Sequence, residues 1–291
     1  MALVAFILLS VALLVGSAYA SARWGWIPPA ASMAAAVALA AIVGADVAKL
    51  AEVAAPVVIG SAAGCSLKYG RSKQFFLIVS ACVLAALFSA TYYSLTLHRN
   101  IDVLAESKRV FKEMVASSGM AESDKKEFFE RFDEYAAVAV ETIPFVHFLY
   151  GLLLSAVGVV IIRMALKRVI GDTDALSQGL EYFALNDYAI FALIATWLVV
   201  LLVDSKEQLV IHRIGLNGAL IVSMLYVLQA LGVIKFLLLK RNVPVFLLPL
   251  TLGIVAVAGA PFLLFVLVIL VSLGSLDVWV DFRKLRPSQA P

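Results

Sequence analysis

Charge is what this chain has least of. Asp, Glu, Lys and Arg make up 15% of its 291 residues, against about a quarter in an average soluble domain. A soluble fold of this size would need polar faces on its helices, and most of the apolar runs here have none. Cysteine is nearly absent too: Cys65 and Cys82 both lie inside apolar runs. No CxxC, zinc-ligand spacing or disulfide framework can be drawn from them, and a buried free cysteine behaves as a small hydrophobe. The sequence carries no HExxH, no GxSxG, no phosphate-binding loop and no carboxylate cluster. It therefore offers no catalytic constellation, and neither a cofactor nor a metal is expected. The net charge is only +3, with no dense basic face interleaved with aromatics, so nucleic acid is not an expected partner. What the chain does have is apolar length: 63% of residues are apolar and the mean hydropathy is +0.99.

A helix needs about 20 apolar residues to cross the hydrocarbon core. On that measure, spans are expected at about 2–20, 29–44, 50–67, 75–97, 143–166, 188–203, 210–239, 245–257 and 260–280. The first run has small residues near its end, as a cleaved leader would, but lacks a basic segment before it and reads as a retained span. Asp46, Lys49 and Glu52 interrupt the second and third runs, which leaves the expected total at eight or nine. The expected fold is therefore all-α: a polytopic membrane helical bundle of eight or nine transmembrane helices, forming a single membrane domain over 1–291.

The few basic residues cluster at alternate loops: Lys68, Arg71 and Lys73; Arg163, Lys167 and Arg168; Lys240 and Arg241; Arg283, Lys284 and Arg286. Lys and Arg concentrate on the cytoplasmic side of short loops. All four clusters fall on that side whether the count is eight or nine. The C-terminus, including a short tail at 281–291, is then expected to be cytoplasmic, in a multi-pass protein of the bacterial cytoplasmic (inner) membrane whose first partner is the lipid bilayer.

One polar insertion stands out. Residues 98–142 hold seven Lys/Arg and ten Asp/Glu and read as an extracytoplasmic amphipathic helical hairpin. Leu104, Phe111 and Val115 recur at helical spacing in its first half, and Phe128, Phe129, Phe132 and Ala136 in its second. It is either a solvated hairpin resting on the bundle or a lid or docking surface. A second amphipathic piece, 175–187, is expected to lie at the inner interface, with Leu176, Leu180 and Phe183 toward the membrane and Asn186 capping the next span.

Small residues recur four apart at Ala36, Ala40 and Gly44, and again at Gly60 and Gly64. In lipid, close backbone approach through small residues is what associates helices, so these positions read as packing sites, within the chain or against a second copy. Polar groups inside the bilayer are costly and count as functional candidates. Asn217, Gln229 and Lys235 in one long run, and His147 near the start of another, are candidates for a pocket or for bridging helices. Lys235 can alternatively snorkel. Asp277, Trp279, Asp281 and Arg283 read as an anchor at the cytoplasmic end. Pro249 and Pro261 in the last two runs are the kind of residue that interrupts helices at transporter sites, though proline is also tolerated in ordinary spans.

The C-terminal third carries a longer pattern: Asn217, then Tyr226-Val-Leu-Gln229-Ala-Leu-Gly232, Lys240 and Pro244, and finally Leu273-Gly-Ser-Leu-Asp277-Val-Trp-Val-Asp281-Phe-Arg283-Lys284. This resembles the YybS-like family of bacterial membrane proteins, a domain of unknown function. Pro56 and Lys68-Tyr-Gly70-Arg71 resemble that family's N-terminal element more loosely. Ala230 stands where the family often has Gly, and the usual proline before Tyr188 is missing. The resemblance implies a bundle similar to the S components of energy-coupling-factor vitamin transporters and to the cell-shape protein MreD, with an extracytoplasmic pocket. It does not transfer a substrate. Two functions follow as expectations. One is handling of a small molecule or lipid. The other is a structural or assembly role beside a membrane-protein partner or a second copy, with no chemistry of its own.

Overall fold

The structure is a computed structural model that describes residues 2–27, 31, 47–69, 73–99, 103–116, 129, 138, 140–167, 169, 176, 179–204 and 207–284. All the regular elements among these are helical. In chain order they are α1 (Ala2–Trp24), α2 (Val47–Tyr69), α3 (Lys73–Arg99), α4 (Val103–Ala116), α5 (Ile143–Leu166), α6 (Ala189–Leu202), α7 (Leu209–Lys240), α8 (Leu247–Val257) and α9 (Ala260–Val280), with a 3-10 turn at Leu180–Tyr182 before α6. The chain divides into two compact units, Met1–Ser177 and Gln178–Pro291.

Eight or nine spans are expected from hydropathy; among the described residues, five helices are both long and apolar enough. They are Ile7–Trp24, Phe76–Ser94, Ile143–Leu166, Leu209–Lys240 and Pro261–Val280. The difference is one of length. At 1.5 Å per residue, the 14 residues of α6 reach about 21 Å and the 11 of α8 about 17 Å, short of a hydrocarbon core about 30 Å thick. In α2, Lys49 and Glu52 leave only Val53–Tyr69 as the apolar part. The 29–44 run, with Ala36, Ala40 and Gly44, and most of the second half of the 98–142 hairpin lie outside the described residues. Of that hairpin the first helix, α4, is present, and Lys112 sits over the ring of Phe129, 5.7 Å from its centroid.

In the first unit, α1 and α2 run parallel. A Cβ on Gly60 would fall on the carbonyl oxygen of Leu14 and on Ser17, one on Gly64 would fall on the carbonyl oxygen of Ala18, and further along Lys68 Nζ donates to the Arg23 carbonyl at 3.3 Å. Only glycine permits that approach. α3 and α5 pair antiparallel: Ser80 and Ser155 share a buried hydrogen bond of 2.8 Å, and Gly151 lies against Ala81 and Leu84. Leu14, Ala18, Ile59, Ala63, Leu84, Val159, Ile162 and Leu166 form the core. Leu176, expected to face the membrane, is 1% exposed and belongs to that core.

In the second unit, α6 and α7 form an antiparallel pair, with Gly215 against Val199, Gly218 against Thr196, and Trp197 Nε1 donating to Ser223 Oγ at 3.1 Å. Gly274 of α9 sits directly under the Tyr226 carbonyl of α7, and Val227, Ala230 and Leu270 pack around that contact. Pro249 and Pro261 do not break helices: each lies in a first turn, where the missing N–H has no helical partner to lose. The break between α8 and α9 is Gly259, at φ +101°. The proline inside a helix is Pro56 of α2.

Candidate functional site

Two places in the structure gather side chains able to do something beyond filling space. The first is a buried polar network in the second unit. It begins at the end of α9, where Asp281 takes a left-handed conformation at φ 44°, a region that Asp tolerates better than most residues. This turns the chain back on itself. Phe282 N–H donates to Asp277 Oδ1 at 3.1 Å, and the Arg283 guanidinium folds under the helix to give Asp277 Oδ2 a 2.6 Å bond from Nη2. The two side chains are 3% and 1% exposed.

From there the network spreads to two other elements. Gln229 of α7 donates from Nε2 to Asp277 Oδ2 at 3.0 Å and accepts at Oε1 from the Leu185 backbone N–H at 3.0 Å. Arg283 Nη1 donates to the carbonyls of Glu181 (3.0 Å) and Phe183 (2.6 Å). Lys235 Nζ lies 2.6 Å from Glu181 Oε2. Gly232 leaves room for this arrangement, since a Cβ there would stand 2.5 Å from the Leu180 carbonyl oxygen. The segment around the 3-10 turn is therefore held by α7 and α9 together, and Phe183, expected to face the membrane, is buried.

Two positive and two negative side chains pair off here, which is how charge is tolerated away from water. Both Asp277 oxygens are occupied by donors, so this carboxylate is arranged to hold structure. The sequence-predicted pocket residues Gln229 and Lys235 and the predicted anchor residues Asp277 and Arg283 thus meet in one cluster. Asn217 does not join it: it lies about 18 Å along α7 at 1.5 Å per residue, is buried, and donates from Nδ2 to the Arg213 carbonyl at 2.8 Å. Trp279 points outward at 66% exposure. Asn186 accepts at Oδ1 from Tyr188 N–H at 3.0 Å, just ahead of α6, whose cap position is Tyr188. Glu181 escapes sequence reading, because nothing in a polar connector distinguishes a carboxylate that will meet a lysine two helices away.

The second place is a groove in the first unit. It has a volume of about 450 Å³ and lies between α1, α2, α3 and α5. Leu14, Ile59, Leu154 and Ile161 give it apolar walls, Phe88 and Tyr150 an aromatic end, and Ser10, Pro56 and Gly158 also line it. Its lining includes none of Asn217, Gln229, Lys235 or His147. His147 stands beside it: its ring packs on Phe88 with centroids 5.9 Å apart, and Nδ1 shares a 3.0 Å hydrogen bond with Ser89 Oγ of α3. A smaller cavity of about 220 Å³ lies in the second unit among Leu231, Leu238, Leu248, Thr251 and Leu270.

The apolar helices, the internal pairing of the buried charges and the outward-facing aliphatic side chains describe a protein that lives in a membrane. A family model for predicted membrane proteins, DUF2232, matches residues 2–278. No curated protein and no solved structure matches the chain. With all but Met1 and the last residues covered by that match, the chain belongs to the DUF2232 family of predicted membrane proteins.

Proposed function

We propose that this chain is a multi-pass protein of the bacterial cytoplasmic membrane that holds a small apolar molecule or a lipid in the groove of its first unit, as an S-component-like bundle would. The groove carries this reading. Ligand sites are concave, mostly apolar and roughly 300–1,000 Å³ in volume, and a cavity of about 450 Å³ with one aromatic end meets that description. Its walls come from four helices, so its shape is set by the bundle and not by a loop. The YybS-like resemblance points the same way, toward a pocket on the extracytoplasmic side. On the orientation expected from the basic clusters, Tyr150 lies in the half of α5 nearer the outside, so the aromatic end of the groove would open on that side.

The buried network of the second unit has a different role on this reading. It fixes the geometry of the bundle's cytoplasmic end, where the C-terminus lies, and supplies no ligand contact.

Native mass spectrometry of the full-length protein in mild detergent tests the proposal. Small molecules carried through purification should be lost when Val157, an exposed lining residue, is replaced by Trp. Identical adducts on both proteins, or none on either, would sink it. A stoichiometric protein partner surviving purification would instead favour the assembly-subunit reading.

A further inference from the structure

We infer that His147, one turn beyond the lining at the aromatic end of the groove, is a polar contact for its occupant, and that the molecule it receives is an amphiphile with an apolar tail and a hydrogen-bond-accepting oxygen at its head. This rests on the groove being a ligand site and names the class of ligand.

His147, Tyr150 and Leu154 follow one another at spacings of three and four on α5, so they share one face of the helix. Tyr150 and Leu154 line the groove. His147 therefore continues the lined face by one turn, and its ring rests on Phe88, which also lines the groove. It is half-buried.

The hydrogen bond to Ser89 sets what the ring can offer. A serine in a helix commonly bonds back to a carbonyl of its own preceding turn, as Ser61 does to Val57 and Ser80 to Leu77. Ser89 makes no such bond, and its hydroxyl has one partner among the described residues, His147 Nδ1. With no carbonyl to take it, the hydroxyl hydrogen is assigned to Nδ1, which on that assignment is the unprotonated nitrogen. In a neutral imidazole the proton then sits on Nε2, and Nε2 has no partner among the described residues. A half-buried donor beside an apolar site wants an acceptor. Carboxylate, ester and ketone oxygens qualify; an ammonium head does not. The apolar walls and the aromatic end accept the tail, and Gly158, against which the Ile59 side chain packs, lets α2 and α5 close the deeper end.

The test uses two photo-crosslinking probes, a medium-chain methyl ketone and the matching alkane, each carrying a diazirine on the tail. They are applied to the full-length protein in detergent, and the labelled sites are mapped by mass spectrometry. Both probes should label lining residues such as Leu154, and Val157→Trp should abolish both signals. His147→Ala should cut ketone labelling about fivefold or more and leave alkane labelling unchanged, and Ser89→Ala should weaken the ketone preference less. Monodispersity on size exclusion checks that the variants are folded. If His147→Ala lowers both probes equally, or neither, the assignment of His147 is overturned while the groove stands. If neither probe labels the groove in the unmodified protein, or if Val157→Trp changes nothing, the groove reading itself fails.

Discussion

Asp277 and Arg283, six residues apart, are in contact across the end of one helix, with Nη2 2.6 Å from Oδ2. The left-handed Asp281 between them makes the approach, and the pair then recruits Gln229 and the backbone of Glu181 and Phe183. Removing one member of a buried ion pair leaves the other uncompensated, at a cost of about 3–5 kcal/mol. Arg283→Met and Asp277→Ala should each lower the unfolding midpoint in detergent substantially. The double variant Asp277→Leu with Arg283→Met should recover part of the loss, because no lone charge remains. Thermal unfolding followed by tryptophan fluorescence measures all three, and a double variant as unstable as the sum of the singles would show that packing, and not charge, dominates.

Gln229 and Lys235 separate by the same logic. Gln229→Leu strands the Leu185 N–H and one Asp277 contact, and unmade buried hydrogen bonds cost about 1–3 kcal/mol. The Lys235–Glu181 pair is partly exposed, with side chains at 26% and 16%, so Lys235→Met should cost less. The ranking of the two midpoints checks the assignment.

How much of this was legible in the sequence depends on whether spacing alone determines the geometry. Gln229 and Asp277 announce themselves because a polar group in an apolar run is conspicuous. The return of Arg283 onto Asp277 does not, since it depends on one backbone angle at Asp281. Hydropathy places the ends of α5, α8 and α9 well, because a helix stops where its apolar run meets Lys167, Gly259 or Asp281. Among the described residues it gives more spans than are long enough, because apolarity says that α6 and α8 avoid water and says nothing of whether they can reach across. The groove is invisible in the sequence: Leu14, Ile59, Phe88 and Leu154 look like any other core residues until four helices bring them to the same level.

Glycine substitutions should divide sharply by position. Gly64→Leu has to displace the Ala18 backbone, and Gly60→Leu that of Leu14, so either should prevent α1 and α2 from packing and reduce the yield of monodisperse protein. Gly16, in the same helix as those backbone atoms, meets nothing within 4 Å of an added Cβ. Gly16→Ala should be tolerated or stabilise by about 0.5–1 kcal/mol. Size-exclusion profiles and unfolding midpoints of the three variants settle the comparison.

Orientation is open to direct measurement. With Cys65 and Cys82 replaced by Ala, Glu113→Cys on the exposed face of α4 should react with a membrane-impermeant maleimide in intact cells. Lys284→Cys should react only after permeabilisation. Reversal of the two would turn the whole assignment over, and with it the side from which the groove is reached.

The parallel packing of α1 on α2 has a consequence for synthesis. Gly60, which closes on Leu14, is translated 46 residues later. α1 therefore emerges ahead of the surface that covers it, and its Leu14–Ser21 face first meets lipid or the insertion machinery. The earliest helix of the chain is an unfinished one, completed only when α2 packs beside it. This makes order of insertion, as much as final stability, the step at which a substitution at Gly60 or Gly64 would be felt.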